Sequence, residues 1–261
     1  MFERRLLAVL LLALAVPRGL AGAMAPARSG PVLRIAAAAD LQPLLPSVLT
    51  EFEQATGIHA EASYKSSATL ATEILNGAPF DLFLAADLSF PQRVIDGGRA
   101  VESAPIPYAR GTLVLWTRND SGVRDLAVDR LTGAAIRSIA MANPEHAPYG
   151  RAAQATLEHL HLLQALRPKL VIAENIAQAA QYADSGNAQV GFISLTSALT
   201  PRLRADGHFV RVAAEDYPPI VQGAVLVRGS TGAAEAHRFL DFLQRPETAR
   251  TLGAEGLEPI R

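Results

Sequence analysis

A chain of 261 residues, 49% hydrophobic and 19% charged, has the composition of a globular protein and can bury one large core or two mid-sized ones. Its formal net charge of −1, with no basic run, excludes a nucleic-acid footprint and a polybasic lipid-surface binder. There is no cysteine, which excludes disulfides, thiolate zinc sites and a lipid-modified N-terminal cysteine.

Glu3, Arg4 and Arg5 precede the apolar run LLAVLLLALAV, which is too short to stay in a bilayer. LAGAMA then offers small residues for cleavage after Ala23 or Ala25, so residues 1–25 read as a secretory signal peptide. Its removal takes Lys+Arg from 24 to 21 and Asp+Glu from 25 to 24, leaving a net charge of −3. An anionic ligand would then have to be attracted by local dipoles rather than by the overall field.

Leu33–Leu41, LRIAAAADL, is an apolar run that ends abruptly in Asp40 with Pro43 soon after, the pattern of a buried strand feeding a helix. Val32–Ala38 is the expected strand and Pro43–Thr56 the helix, closed by Gly57. Ile58–Tyr64 alternates like a strand, and Ala68–Asn76 has helical spacing up to Gly77. Asp81–Ala86 reads as a strand and Ser89–Asp96 as a helix stopped by Gly97–Gly98. This alternation predicts a parallel sheet. After the Pro105–Pro107 punctuation come strands at Gly111–Thr117 and Ser138–Ala142, the loop ANPEHAPYG and a long helix over Arg151–Leu166. Leu170–Ala173 reads as a strand, Ile176–Ser185 as a helix closed by Gly186, and Gln189–Leu195 and Phe209–Ala213 as strands. Past Pro218–Pro219 come a strand at Ile220–Val227, an amphipathic helix at Ala233–Gln244 and a short helix from Pro246. Two proline-bearing connectors, one before each of the strands at 111 and 220, predict a two-lobed chain crossed twice.

Enzyme signatures are missing. There is no G-x-S-x-G, P-loop, G-x-G-x-x-G or H-E-x-x-H. His159 and His161 stand two apart on a helix and point to different sides. His146 reads as a structural loop residue, Tyr64, Tyr108 and Tyr149 as packing residues, and Asp81, Asp87 and Glu174 as capping or hinge groups. What remains is a set of helix starts bearing small hydroxyl residues, among them Ser66, Ser67 and Thr69. One such start is only a cap. Several at the carboxyl ends of strands would offer neutral N–H and O–H donors to an anion in one cleft.

The stretches IAAAADL, YKSSATLATEILNGAPFDLFLAAD, ANPEHAPYG and AENIAQAAQYADSGNAQVGFIS resemble, in order and spacing, the periplasmic molybdate-binding proteins of ABC transporters. The likeness covers essentially the whole mature chain. It implies an α/β, type II periplasmic-binding-protein fold with two lobes and a two-strand hinge: residues 26–109 with 220–261, and residues 110–219. It also implies a periplasmic, non-enzymatic monomer without cofactor, which captures molybdate or tungstate and passes it to a membrane permease.

Carried over by position, the resemblance implies ligand roles for the Ser67 hydroxyl and for the backbone N–H groups of Tyr149 and Ile176. Arg110, Arg118 and Arg151 are not expected to hold the ion, because the family's sites do without cations. Two positions depart from the family's pattern. Ser194 stands where a tyrosine often closes the site and is expected to donate to the ligand from its shorter arm or through water, and Asp40 stands where a first ligand serine is expected. The favoured reading of Asp40 is a cap whose carboxylate turns back onto its helix, leaving the backbone N–H for the ligand. Alternatively its carboxylate rewards a protonated, phosphate-like oxyanion, or the ligand is a cation or another small polar solute. A further alternative is an extracytoplasmic enzyme on the same fold.

Overall fold

The computed structural model describes residues 32–260; the expected signal peptide, residues 1–25, lies outside the described residues. Strand β1 (Leu33–Ala38) leads through a single 3-10 turn (Ala39–Leu41) into helix α1 (Leu45–Thr56). Gly57 ends α1 in the left-handed conformation with φ 72°, where a side chain would be strained. The same unit repeats as β2 (Ala60–Lys65) with α2 (Ser67–Leu75), and β3 (Leu82–Ala85) with α3 (Ser89–Asp96). β4 (Ile106–Gly111) runs into β5 (Leu113–Arg118) across Thr112.

The middle of the chain holds β6 (Ile139–Ala142), α4 (Pro148–His159), α5 (Leu163–Leu166), β7 (Leu170–Ala173) and α6 (Ile176–Ser185). It continues through β8 (Val190–Ser194), α7 (Leu195–Ala198), α8 (Pro201–Asp206) and β9 (Gly207–Arg211). β10 (Ile220–Leu226), α9 (Ala233–Leu243), α10 (Pro246–Ala254) and β11 (Glu258–Pro259) complete it.

Two sheets result. One has the order β11-β4-β10-β3-β1-β2, the other β7-β6-β8-β5-β9. In the first, β1 pairs in parallel with β2 and β3, whereas β10 runs antiparallel between β3 and β4. In the second, β6 is parallel to β7 and β8, and β5 is antiparallel to β8 and β9. Each sheet has helices packed on its faces, giving two α/β lobes. The chain passes between them at β4–β5 and again between β9 and β10.

The first lobe's core gathers Leu33, Ile35, Val48 and Phe52 against helix α9, with Phe52 and Phe239 meeting edge-on at 5.0 Å. The second lobe buries Trp116, whose indole donates to the Leu203 carbonyl at 3.1 Å. Ala38, Ala39 and Ala86 of the first lobe pack into the second lobe's core beside Tyr149 and Ile176, so the lobes are closed on each other.

Three local expectations need correction. The single helix expected over Arg151–Leu166 is two, α4 and α5, broken at Leu160–Leu162, where His161 takes φ 57°. Pro105–Pro107 is not a plain connector: β4 starts at Ile106. It accommodates Pro107 opposite Gly223, where the pairing with β10 slips by one residue and no ladder N–H is demanded. The two short helices after β8 were not anticipated at all.

Candidate functional site

Four turns stand at the carboxyl ends of parallel strands: Ala39–Leu41 after β1, and the starts of α2, α4 and α6 after β2, β6 and β7. The first N–H groups of each helix have no partner within it. Local caps settle which of them are used up. In α2, Ser66 accepts from the Thr69 N–H at 3.2 Å; in α6, Asn175 accepts from the Gln178 N–H at 3.0 Å. α4 starts on Pro148, which has no N–H, and its preceding residue Ala147 makes no side-chain cap. The earliest N–H groups of α4 and α6, Tyr149 and Ile176 among them, are left for something else.

Interlobe hydrogen bonds bring these turns together. The Ala68 N–H at the start of α2 donates to the His146 carbonyl, 3.2 Å away in the loop before α4. Glu174, just before α6, accepts from the hydroxyls of Ser66 at 3.3 Å and Thr69 at 3.2 Å. Arg151 in the first turn of α4 pairs with Asp87 and lies over the Phe90 ring at 5.2 Å. These charged contacts belong to the half-exposed rim. Inside it, the expected ligand residues Ser67, Tyr149 and Ile176 are all buried.

Ser67 is the first residue of α2. Its Oγ accepts from the buried Ala86 N–H at 3.1 Å, and among the described residues no protein acceptor takes its hydrogen. Its hydrogen is thus left for another acceptor. α4 sits very close to the end of β6: a Cβ on Gly150 would lie 2.3 Å from the Ala142 carbonyl oxygen, so only glycine fits there.

Tyr149 contributes more than a backbone N–H. Its side chain is buried, and its hydroxyl donates to Asp40 Oδ2 at 3.2 Å. This also explains Gly111 in the hinge, where a Cβ would sit 2.1 Å from that hydroxyl oxygen.

The cap reading of Asp40 is not what the structure contains. Neither the 3-10 turn nor α1 is capped by a side chain, and the Asp40 carboxylate turns towards the hinge. Oδ2 accepts from Gln222 on β10 and from Tyr149, while Tyr108 on β4 donates to Gln222 Oε1 at 2.6 Å. The Asp40 carbonyl accepts from Thr196 at 2.7 Å. Oδ1 is buried with no hydrogen-bond partner. Burial pushes the carboxyl up to about 6, only partly offset by the Gln222 and Tyr149 hydrogen bonds. Burial and then the Asp40 charge raise the phenols of Tyr108 and Tyr149 well above their ordinary value.

Ser194 also departs from expectation. It caps α7, accepting from the Ser197 N–H at 3.2 Å and donating to Ser197 Oγ at 2.9 Å, with Thr196 Oγ1 2.8 Å away. Its one hydrogen is already placed, so it has none for an ion. Sequence reasoning missed Gln222 and Thr196, and took Tyr108 for a packing residue. A glutamine in the middle of the apolar strand IVQGAVL was the one available signal. Among the described residues no three metal-ligating side chains cluster.

Two hinged α/β lobes closing over uncharged donors at helix starts define a two-lobed solute-binding protein. Residues 33–258 match the model of the family described as bacterial extracellular solute-binding protein, and the chain belongs to that family. It is 35% identical over 244 residues to the molybdate-binding protein ModA of Rhodobacter capsulatus, covering 94% of this chain and 93% of that one. It is 33% identical over 236 residues to ModA of Azotobacter vinelandii, covering 90% and 93%. The solved structure of the Azotobacter vinelandii periplasmic molybdate-binding protein superposes with a TM-score of 0.82 at 31% identity, covering 88% of this chain and all of that one.

Proposed function

We propose that this protein captures molybdate or tungstate between its lobes outside the inner membrane and delivers it to an ABC permease. The observation that carries this reading is the gathering of uncharged, buried donors from both lobes with no lysine or arginine among them. Similarity to relatives named as molybdate-binding supports this choice of ion. In this reading the Ser67 hydroxyl and the N–H groups of Tyr149 and Ile176 hold the oxyanion, and Ser194 does not. Lobe one comprises residues 26–109 and 220–261, lobe two residues 110–219, and residues 1–25 are the secretion signal.

Helix starts bring pre-aligned N–H dipoles, so the ion is met without reorganisation and without a counter-charge. Neutral donors cannot select by charge, so cavity size and donor count must separate molybdate from sulfate. The ion favours the closed form only by its better affinity for it. No turnover is involved.

Calorimetric titration of the mature protein with molybdate, tungstate, sulfate and phosphate tests this. Tight, saturable heat with the first two is expected, with a thermal shift that follows mass action and no product formed. Silence towards both molybdate and tungstate would sink it.

A further inference from the structure

The Asp40 carboxylate is the one feature of the site that opposes its role. It is fully buried, lies between the lobes and has no cation beside it. The groups that face it are Tyr108 from β4, Gln222 from β10, Tyr149 from α4 and Thr196 from α7. All are uncharged at neutral pH. Gln222 and Tyr149 donate to Oδ2, Thr196 to the backbone carbonyl and Tyr108 to Gln222 Oε1, so Oδ1 has nothing to accept and, if ionised, is a buried half-charge without solvent. Two of these groups, Tyr149 and Thr196, belong to the second lobe. Opening the cleft withdraws them and lets water reach the carboxylate, so its burial is a property of the closed form.

We propose that Asp40 takes up a proton from solvent as the lobes close on their ion, and that this hydrogen, on Oδ1, is donated to an oxygen of the bound oxyanion. The inference rests on the oxyanion reading above. It turns the residue that departs from the family pattern into a donor, and makes capture of the ion a proton-linked event. The same geometry explains why Oδ2 alone is served by protein donors: it is the carbonyl-like oxygen of a neutral carboxylic acid, and Oδ1 is its hydroxyl. Burial raises the affinity of this carboxyl for a proton, and a neighbouring dianion adds to that in the same direction.

The test is calorimetry of the mature protein with molybdate near pH 7, in a series of buffers of different ionisation enthalpy, repeated with tungstate. At this pH the free ions carry a constant charge, so any proton taken up goes to the protein. The expected result is uptake approaching one proton per ion bound. Affinity should fall by up to tenfold per pH unit between about 6.5 and 8.5. Asp40→Asn has an amide donor in place of the acid hydroxyl. It should bind with no proton uptake and no pH slope, and be the tighter binder at the alkaline end. Strong wild-type heat without proton uptake overturns the inference and leaves the oxyanion reading standing. Equal pH slopes in wild type and Asp40→Asn overturn it too. No heat with either ion overturns both readings together.

Discussion

Gly150→Ala isolates the placement of one helix start. The new Cβ would lie 2.3 Å from the Ala142 carbonyl oxygen, 2.8 Å from its carbon and 2.9 Å from the Asn143 carbonyl carbon. These are backbone atoms at the end of β6 and cannot swing aside. Reaching ordinary van der Waals contact requires a shift of about 1 Å at the start of α4. Overpacking of this kind costs about 1–3 kcal/mol of stability. In a chain of this size that lowers the melting temperature by about 2–10 °C. The same shift moves the Tyr149 N–H off the ion. A hydrogen bond to a charged group is worth about 1.5–3 kcal/mol, so molybdate affinity should fall about 10- to 150-fold. Differential scanning calorimetry without ion gives the first number and titration calorimetry the second. Unchanged affinity in a variant whose stability has dropped as expected would show that the start of α4 does not touch the ion.

Ser67→Ala leaves the buried Ala86 N–H without its 3.1 Å acceptor, which costs about 1–3 kcal/mol of stability, and removes a donor to the ion. Melting curves and titration should both register the loss. Ser194→Ala deletes the α7 cap and should lower stability by about 1 kcal/mol while leaving molybdate affinity within twofold, because the hydroxyl's hydrogen is held by Ser197. Glu174→Gln alters a half-exposed interlobe contact and should change affinity by less than about fivefold, an effect that fades in high salt. Stability should depend on pH through Asp40. Its carboxyl is raised from 3.8 to about 6, so its contribution is fully present below 3.8 and is lost as pH rises through about 6. The loss is on the order of 2–3 kcal/mol; it should be absent from Asp40→Asn and appear in full in the difference between wild-type and Asp40→Asn melting curves over this range.

The repeating strand–turn–helix units were legible because their signals are local. Pro148, Ser66 and Asn175 mark helix starts, and Gly57 and Gly186 mark ends, whatever the rest of the chain does. Ser67, Tyr149 and Ile176, whose ligand roles came from the family resemblance, each sit beside such a mark. The break between α4 and α5 was hidden because leucines continue at helical spacing through His161. β4 was hidden because Pro107 in a strand is tolerated only by the slip against Gly223, which lies far along the chain. The direction of the Asp40 carboxylate is the least local fact of all. Its partners Tyr149 and Gln222 are 109 and 182 residues away, and no pattern near position 40 names them. Ser194 misled for the opposite reason: a cap two or three residues long was read as a contact across the cleft.

Magnitudes decide how a carboxyl and a dianion can share this site. An ionised Asp40 at roughly 5 Å from a doubly negative ion, with an effective dielectric near 20, meets a repulsion of about 7 kcal/mol. Keeping a proton on a carboxyl whose value is about 6 costs only about 1.4 kcal/mol at pH 7. The proton is by far the smaller cost, and it also converts a repelling group into a donor. A lysine at the same place would have removed the repulsion more simply. It would also have held any passing anion, and it would have kept its charge in the open form, where nothing ties it to closure. A carboxyl that is neutral only when enclosed ties the donor to closure itself. Opening reverses both steps: water returns to Asp40, the proton leaves, and the restored charge opposes recapture of the ion at the point where it must be given up.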